Sequence, residues 1–129
     1  MDVLSIKGTV ETPEVNFDPN SGVFNLSGRS LPEDVKDFYN PLIKWIEGYA
    51  ASPKPTTVLK VKMDYFNTAS SKMLLEIFEL FKDMQDNGSE VAIEWYYLED
   101  DEDMEDAGQD YSDIVEVPFK FFSYQPTPK

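Results

Sequence analysis

The hydrophobic period changes twice between Thr57 and Leu98, and those changes restrict the fold more than any other feature of the chain. From Thr57 to Tyr65 the pattern alternates. Leu59, Val61, Met63 and Tyr65 fall on one face and Lys60, Lys62 and Asp64 on the other, as in a strand with one side against a core. Phe66-Asn67-Thr68 leaves the strand. From about Ala69 to Asp86 the residues Leu74, Ile77, Phe78 and Phe81 recur at helical spacing, and Asn87-Gly88 supplies a C-terminal stop. Alternation resumes with Val91, Ile93, Trp95 and Tyr97, up to Leu98. A strand, a helix and a strand of these lengths form a right-handed parallel crossover. An α/β fold is therefore predicted.

The flanking segments extend this unit into a mixed sheet. Val3 to Gly8 reads as a short strand, and Glu11 to Phe17, which contains Pro13, as an irregular edge strand at best. Asp18-Pro19-Asn20-Ser21-Gly22 has turn chemistry, and Val23 to Ser27 is a strand paired antiparallel with its predecessor. Ser30 and Glu33 have the spacing of a capping box, ahead of a helical stripe through Val35, Phe38, Tyr39, Leu42, Ile46 and Tyr49. Pro41 should kink that helix, or restart it with Asn40 as a new cap. Ser52 to Thr56, with two prolines, ends the element. Ile114 to Tyr124 is the last strand, with Pro118 marking an edge or a break. The predicted order is β-β-α-β-α-β-(α)-β in a single domain over residues 1–129, with helices packed mainly on one face of the sheet. An acidic loop is expected at about 99–110 and a frayed tail over 125–129.

Composition narrows the chemistry. The 129 residues include no cysteine and no histidine, which removes disulfides, thiol nucleophiles, and the commonest general base and transition-metal ligand. Acidic residues outnumber basic ones 25 to 11, for a net charge of −14. Such a surface repels phosphate backbones and anionic lipid heads, so neither nucleic acid nor membrane is an expected partner. No apolar run suits a membrane span and no secretory signal is evident, so a cytoplasmic location is expected. An enzyme using paired carboxylates is one alternative, but it would need two acids converging in a cleft. The sequence holds no glycine-rich phosphate loop, no metal-ligand spacing and no cofactor motif. The chain is expected to be non-catalytic, with no cofactor and no metal.

Three local features invite a functional reading. The acidic run Glu99 to Asp106 resembles a calcium loop when counted from Asp101, with oxygen ligands at the first, third and fifth positions. However, Asp106 stands where glycine is needed and Ser112 where the closing glutamate belongs. A solvated loop or frayed helix accounts for it better, with contact to a basic partner as its functional version. On the strand ending at Leu98, Trp95 and Tyr97 share a face and Tyr96 points the other way. If helices cover only one face, Tyr96 lies on the open one, where an aromatic could anchor a partner. The third feature is Asn67-Thr68-Ala69-Ser70-Ser71-Lys72. It sets several hydroxyls at a helix start, where unpaired N–H groups and the helix dipole favour an anion. A phosphate on Thr68 would gain from both, with Lys72 one turn on. The plain reading is that Asn67 or Thr68 caps the helix and that Ser70 and Ser71 are ordinary first-turn residues.

This segment, in this order of elements, resembles the SiaC family of bacterial regulatory phosphoproteins, which have a STAS-like fold similar to anti-sigma-factor antagonists. The similarity extends to Gly8-Thr9, Thr12-Pro13, Pro32-Glu33, Trp45-Ile46-Glu47, Asn67-Thr68 and Trp95-x-Tyr97. The resemblance implies a phosphorylatable threonine in an Asn-Thr-Ser-Ser-like motif, matched here by Thr68. It also implies a kinase of the SiaB type, a phosphatase of the PP2C type, and a diguanylate cyclase activated by the unmodified protein, tying the switch to cyclic-di-GMP signalling. Ala69 departs from the motif where serine is expected, which leaves Ser70 and Ser71 as alternative modification sites. Asn67, Ala69, Ser70, Ser71 and Lys72 are the expected partner-binding or phosphate-neighbouring residues. A constitutive interaction domain without a switch is the remaining alternative.

Overall fold

The structure is a computed structural model that describes residues 1–126; the part of the expected frayed tail at 127–129 lies outside the described residues. Six strands form one mixed sheet whose spatial order is also their chain order: β1 (Leu4–Ile6), β2 (Glu14–Asp18), β3 (Val23–Ser30), β4 (Thr56–Phe66), β5 (Glu90–Leu98) and β6 (Phe119–Tyr124). The pairs β1–β2 and β2–β3 are antiparallel, and β3–β4, β4–β5 and β5–β6 are parallel. Helices α1 (Val35–Ala50), α2 (Thr68–Asp86) and α3 (Glu102–Val115) make the three crossovers. Each crossover steps one strand in the same direction. A shared right hand then puts all three helices on one face, and α2 accordingly packs against both α1 and α3. The mixed α/β architecture is the one expected. Among the described residues no helix is long and apolar enough to cross a membrane.

Several local expectations are corrected. Strand β2 is interior rather than an edge strand: Val15 and Phe17 are fully buried, and β1 covers its outer side. Pro13 lies just before the strand and costs the ladder no donor. Ser30 is not a helix cap. The alternation of β3 continues through Phe24, Leu26, Gly28 and Ser30, and Ser30 ends that strand on the buried side. Asp34 caps α1 instead, accepting from the Asp37 N–H at 3.1 Å. Helix α1 runs unbroken through Pro41. The proline removes one donor, to the Asp37 carbonyl, and both residues are exposed, so water can satisfy that carbonyl. The α1 stripe behaves as its spacing implied, with Tyr39, Leu42, Ile46 and Tyr49 buried.

Tyr65 is on the opposite face from the one its alternation predicted. Gly28 pairs with Met63 but Arg29 pairs with Tyr65, so Asp64 is one extra residue in β4. This bulge flips the parity of the residues after it. Tyr65 turns outward beneath the Arg29 guanidinium, 5.6 Å from its ring centre, and Phe66 turns inward toward Trp95, with ring centres 6.3 Å apart.

The stretch 99–110, expected as a loop or frayed helix, instead enters α3 at Glu102. Asp101 caps it by accepting from the Met104 N–H at 3.0 Å, and Glu102, Asp103 and Glu105 occupy its first turn. Negative charge there meets the positive end of the helix dipole. The acidity that suggested a loop thus stabilises this helix start. Helix α3 continues through Ile114 to Val115, and β6 begins only after Pro118, at the sheet edge.

The core lies between the sheet and the helices, around Phe17, Phe24, Phe78, Phe81 and Trp95. Trp95 is fully buried and donates its indole N–H to the Met104 carbonyl at 2.9 Å, joining β5 to α3. Gly108 permits that approach: a Cβ there would lie 2.6 Å from Trp95 Cδ1 and Nε1 and 2.9 Å from Phe121 Cε1. The overpacking cost of ~1–3 kcal/mol outweighs the ~1 kcal/mol that alanine gains over glycine in a helix. Gly108→Ala should therefore lower stability by up to ~2 kcal/mol in urea denaturation, with the transition followed by tryptophan fluorescence.

Candidate functional site

Strands β3, β4 and β5 all run toward the same edge of the sheet, and α1, α2 and α3 begin there. In open α/β sheets this carboxyl-terminal edge is where ligands and partners are met. Thr68 is the first residue of α2 and is exposed. Asn67, just before it, is the cap: its Oδ1 accepts from the Ser70 N–H at 2.8 Å, and its carbonyl accepts from the Ser71 N–H at 2.9 Å. The Asn67 N–H donates to the Ser30 carbonyl at 3.0 Å. Of the four N–H groups that a helix start leaves unpaired, those of Thr68 and Ala69 remain for an outside acceptor.

The three hydroxyls of the motif have different surroundings. Ser70 is fully buried. Its hydroxyl donates to the Ser30 carbonyl at 3.1 Å and accepts from the Ser30 hydroxyl at 2.8 Å. Since the Ser30 proton is committed to Ser70, the Tyr39 hydroxyl must be the donor in its own bond to Ser30 Oγ. The result is a closed chain, Tyr39 to Ser30 to Ser70 and back to the Ser30 carbonyl, uniting α1, β3 and α2. Ser71 is half-buried and donates to the Thr68 carbonyl at 2.6 Å, while its own carbonyl accepts from Tyr111 of α3 at 2.8 Å. Ala69 and Lys72 are exposed. Among the described residues the one ion pair is Lys82–Asp86, so Lys72 holds no carboxylate within 4.0 Å.

The structure thus brings Asn67, Thr68, Ala69, Ser70, Ser71 and Lys72 together at the cap and start of α2, with Thr68 as the outward hydroxyl. Ser30, Tyr39 and Tyr111, which hold that turn from below and from the side, were missed in the sequence. The signal for Ser30 was present: a serine at the inward position of an otherwise apolar alternation. Burial pushes the Tyr39 and Tyr111 phenols up from their ordinary value, opposed by their hydrogen bonds to Ser30 and Ser71. The acidic run does not form a metal cage. Asp101 is used as a cap, and among the described residues no three acidic side chains converge on one point.

Fold and site together define the class: a mixed α/β protein that presents a hydroxyl at a capped helix start on the edge where its parallel strands end. Comparison with known proteins identifies the family. The chain belongs to the SiaC family of regulatory phosphoproteins, which it matches over residues 6–124. An uncharacterised protein of Pseudomonas aeruginosa (strain UCBPP-PA14) is 27% identical over 119 residues, covering 92% of this chain and 94% of that one. The crystal structure of apo-SiaC from Pseudomonas aeruginosa is similar with a TM-score of 0.88 at 26% identity, covering 95% of this chain and 100% of that chain. SiaC in complex with the diguanylate cyclase SiaD, whose activator it is, gives a TM-score of 0.89 at 26% identity, covering 94% and 99%.

Stability measurements separate the buried hydroxyls from the exposed one. Tyr39→Phe leaves Ser30 Oγ without its donor in a dry site and should cost ~1–3 kcal/mol, whereas Thr68→Ala, at the surface, should change stability by less than ~0.5 kcal/mol; urea denaturation compares them. A phenol whose folded pKa is raised binds more protons folded than unfolded once the pH passes the unfolded value. Stability is then unaffected below about pH 10 and falls as pH rises above it. Tyr111→Phe should make the alkaline limb of a stability–pH curve shallower.

Proposed function

We propose that this chain is a non-catalytic signalling adaptor, switched by reversible phosphorylation of Thr68, whose unmodified form docks on and activates a diguanylate cyclase. The observation that carries this reading is the contrast between two hydroxyls two residues apart: Thr68 is exposed at the helix start, while Ser70 is fully buried with its bonds filled. Phosphate adds about −1.5 to −2 charges. At Thr68 it would meet the free N–H groups and positive dipole end of α2, with Lys72 one turn on. At Ser70 it would have to break the hydroxyl chain in a space with no room for it. Ser71 would have to give up its bond to the Thr68 carbonyl.

The mechanism is local. Bare Thr68 forms part of a docking surface at the carboxyl edge of the sheet, and phosphate there introduces repulsion and a desolvation cost. A SiaB-type kinase and a PP2C-type phosphatase are the proposed opposing partners, acting in the cytoplasm on a single-domain protein. The family's description as regulatory phosphoproteins and the SiaC–SiaD complex support this reading.

Phosphosite mapping on protein isolated from its own cells should find phosphate on Thr68. Thr68→Ala should lose the modification and keep cyclase binding, and Thr68→Glu should bind at least ~10-fold more weakly. Binding by Thr68→Glu as tight as wild type would sink the proposal and leave a constitutive interaction domain.

A further inference from the structure

Because all three helices cover one face of the sheet, no helix among the described residues covers the other, which Pro126 adjoins beside Lys62 and Tyr124. Across β3 to β6 the outward positions of that bare face carry more basic than acidic residues, unlike the rest of the molecule. They hold four of the chain's 11 basic residues, Arg29, Lys60, Lys62 and Lys120, and two of its 25 acidic ones, Glu90 and Glu94, with Glu90 at the start of β5, two rows beyond the Lys60 row. Asp64 stands in the bulge beside them, and Glu14 and Asp18 lie at the far margin on β2. In a protein of net charge −14, this is a local positive plate. The registers arrange it in rows. One row across the sheet is Ser27, Lys62, Tyr96 and Phe122, and the next is Asn25, Lys60, Glu94 and Lys120. Lys60 and Lys120 are therefore two strand spacings apart, about 10 Å, and Lys62 stands one row along.

Among the described residues, the lysines of this plate pair with no carboxylate in a chain rich in them. With Lys82–Asp86 the one ion pair among the described residues, Lys60, Lys62 and Lys120 hold no carboxylate within 4.0 Å. Glu94, between Lys60 and Lys120, accepts from the Tyr96 hydroxyl at 2.8 Å. Beside the cations lies apolar surface. Tyr96 and Phe122 stack with ring centres 5.0 Å apart, Phe122 remains 40% exposed, and a shallow pocket of about 230 Å³ opens between Asn25, Lys60, Lys62 and Tyr96.

We infer that the bare face of the sheet is a second docking surface, one that takes an acidic segment of a partner protein with an apolar side chain between its carboxylates. The carboxylates meet Lys60, Lys62 and Lys120, and the apolar side chain lies against the Tyr96–Phe122 stack. Protein is favoured over single-stranded nucleic acid for two reasons. A polyphosphate approaching the plate feels the repulsion of the whole molecule, while a short acidic segment can belong to a partner that is neutral or basic elsewhere. The rings are also engaged already: Tyr96 and Phe122 on each other, Tyr124 under Lys62 at 4.5 Å, and Tyr65 under Arg29 at 5.6 Å. Bases would need free ring faces on which to stack. Two copies meeting face to face would set lysine against lysine. The surface is on the side of the sheet away from the helices, so a second partner can be held whatever the state of Thr68.

The test uses the full chain and a synthetic peptide of alternating glutamate and phenylalanine, followed by amide chemical shifts. Saturable shifts are expected at Lys60, Lys62, Tyr96, Lys120 and Phe122. The double variant Lys62→Glu/Lys120→Glu, exposed positions whose fold is checked by thermal melting, should bind at least ~10-fold more weakly. Thr68→Glu should bind the peptide as wild type does, which separates this surface from the switch. Shifts confined to other residues, equal binding of a lysine–phenylalanine peptide, or undiminished binding by the double variant would overturn the inference. So would oligothymidine binding more tightly at the same residues, or self-association through this face.

Discussion

The hand of the parallel crossover governs most of what this molecule can do. Three successive crossovers step the same way from β3 to β6, and chain chirality gives them a common sense. The helices must then share one face, their first turns must share one edge, and the other face must be left without a layer. A doubly wound sheet of the same composition would bury both faces. Here one constraint creates both an edge where α2 begins and a plate where Lys60, Lys62 and Lys120 stand uncovered.

At the edge, hydrogen bonding decides which hydroxyl is available. Ser30 ends β3 on the buried side, and its carbonyl accepts from both the Asn67 N–H and the Ser70 hydroxyl. Its hydroxyl receives the Tyr39 proton and passes its own to Ser70. A buried polar group without partners is costly, and among the described residues no buried side-chain nitrogen or oxygen lacks one. The turn is thus anchored from beneath by α1 and β3, and from the side by Tyr111 of α3. What remains outside the network is Thr68. A rigid support beneath a free hydroxyl suits a surface read differently with and without phosphate.

The acidic surface illustrates how position changes the meaning of charge. Glu102, Asp103 and Glu105 repel one another as a bare run, yet at the start of α3 they face N–H groups and the positive dipole end. The bare sheet face, in contrast, gathers four cations and sets two of them, Arg29 and Lys62, over aromatic rings. Both placements arise from where the elements sit, since the same residues in an extended chain would be screened surface charge.

Strand β4, helix α2 and strand β5 were legible in the sequence because each has a strong period and a clear stop: Leu59-Val61-Met63, then Leu74-Ile77-Phe78-Phe81, then Val91-Ile93-Trp95. Thr68 at a strand–helix junction was legible for the same reason, and the family resemblance rested on residues that can be read in order. Other features depended on partners distant in the chain. Ser30 looked like a cap because local spacing allowed it, and only its contacts with Tyr39 and Ser70 make it the end of a strand. Tyr65 reversed its face because a bulge opposite Gly28 and Arg29 added one residue, a matter of pairing that no single strand encodes. The inwardness of Ser70 and the outwardness of Thr68 differ by two positions on one helix turn, and the neighbouring strand decides between them. Sequence alone determined the central elements β4, α2 and β5 and their crossover sense, because period and chirality are local. Tertiary structure decided which hydroxyl faces solvent and which face of the sheet stays bare, because burial and pairing belong to the assembled layers.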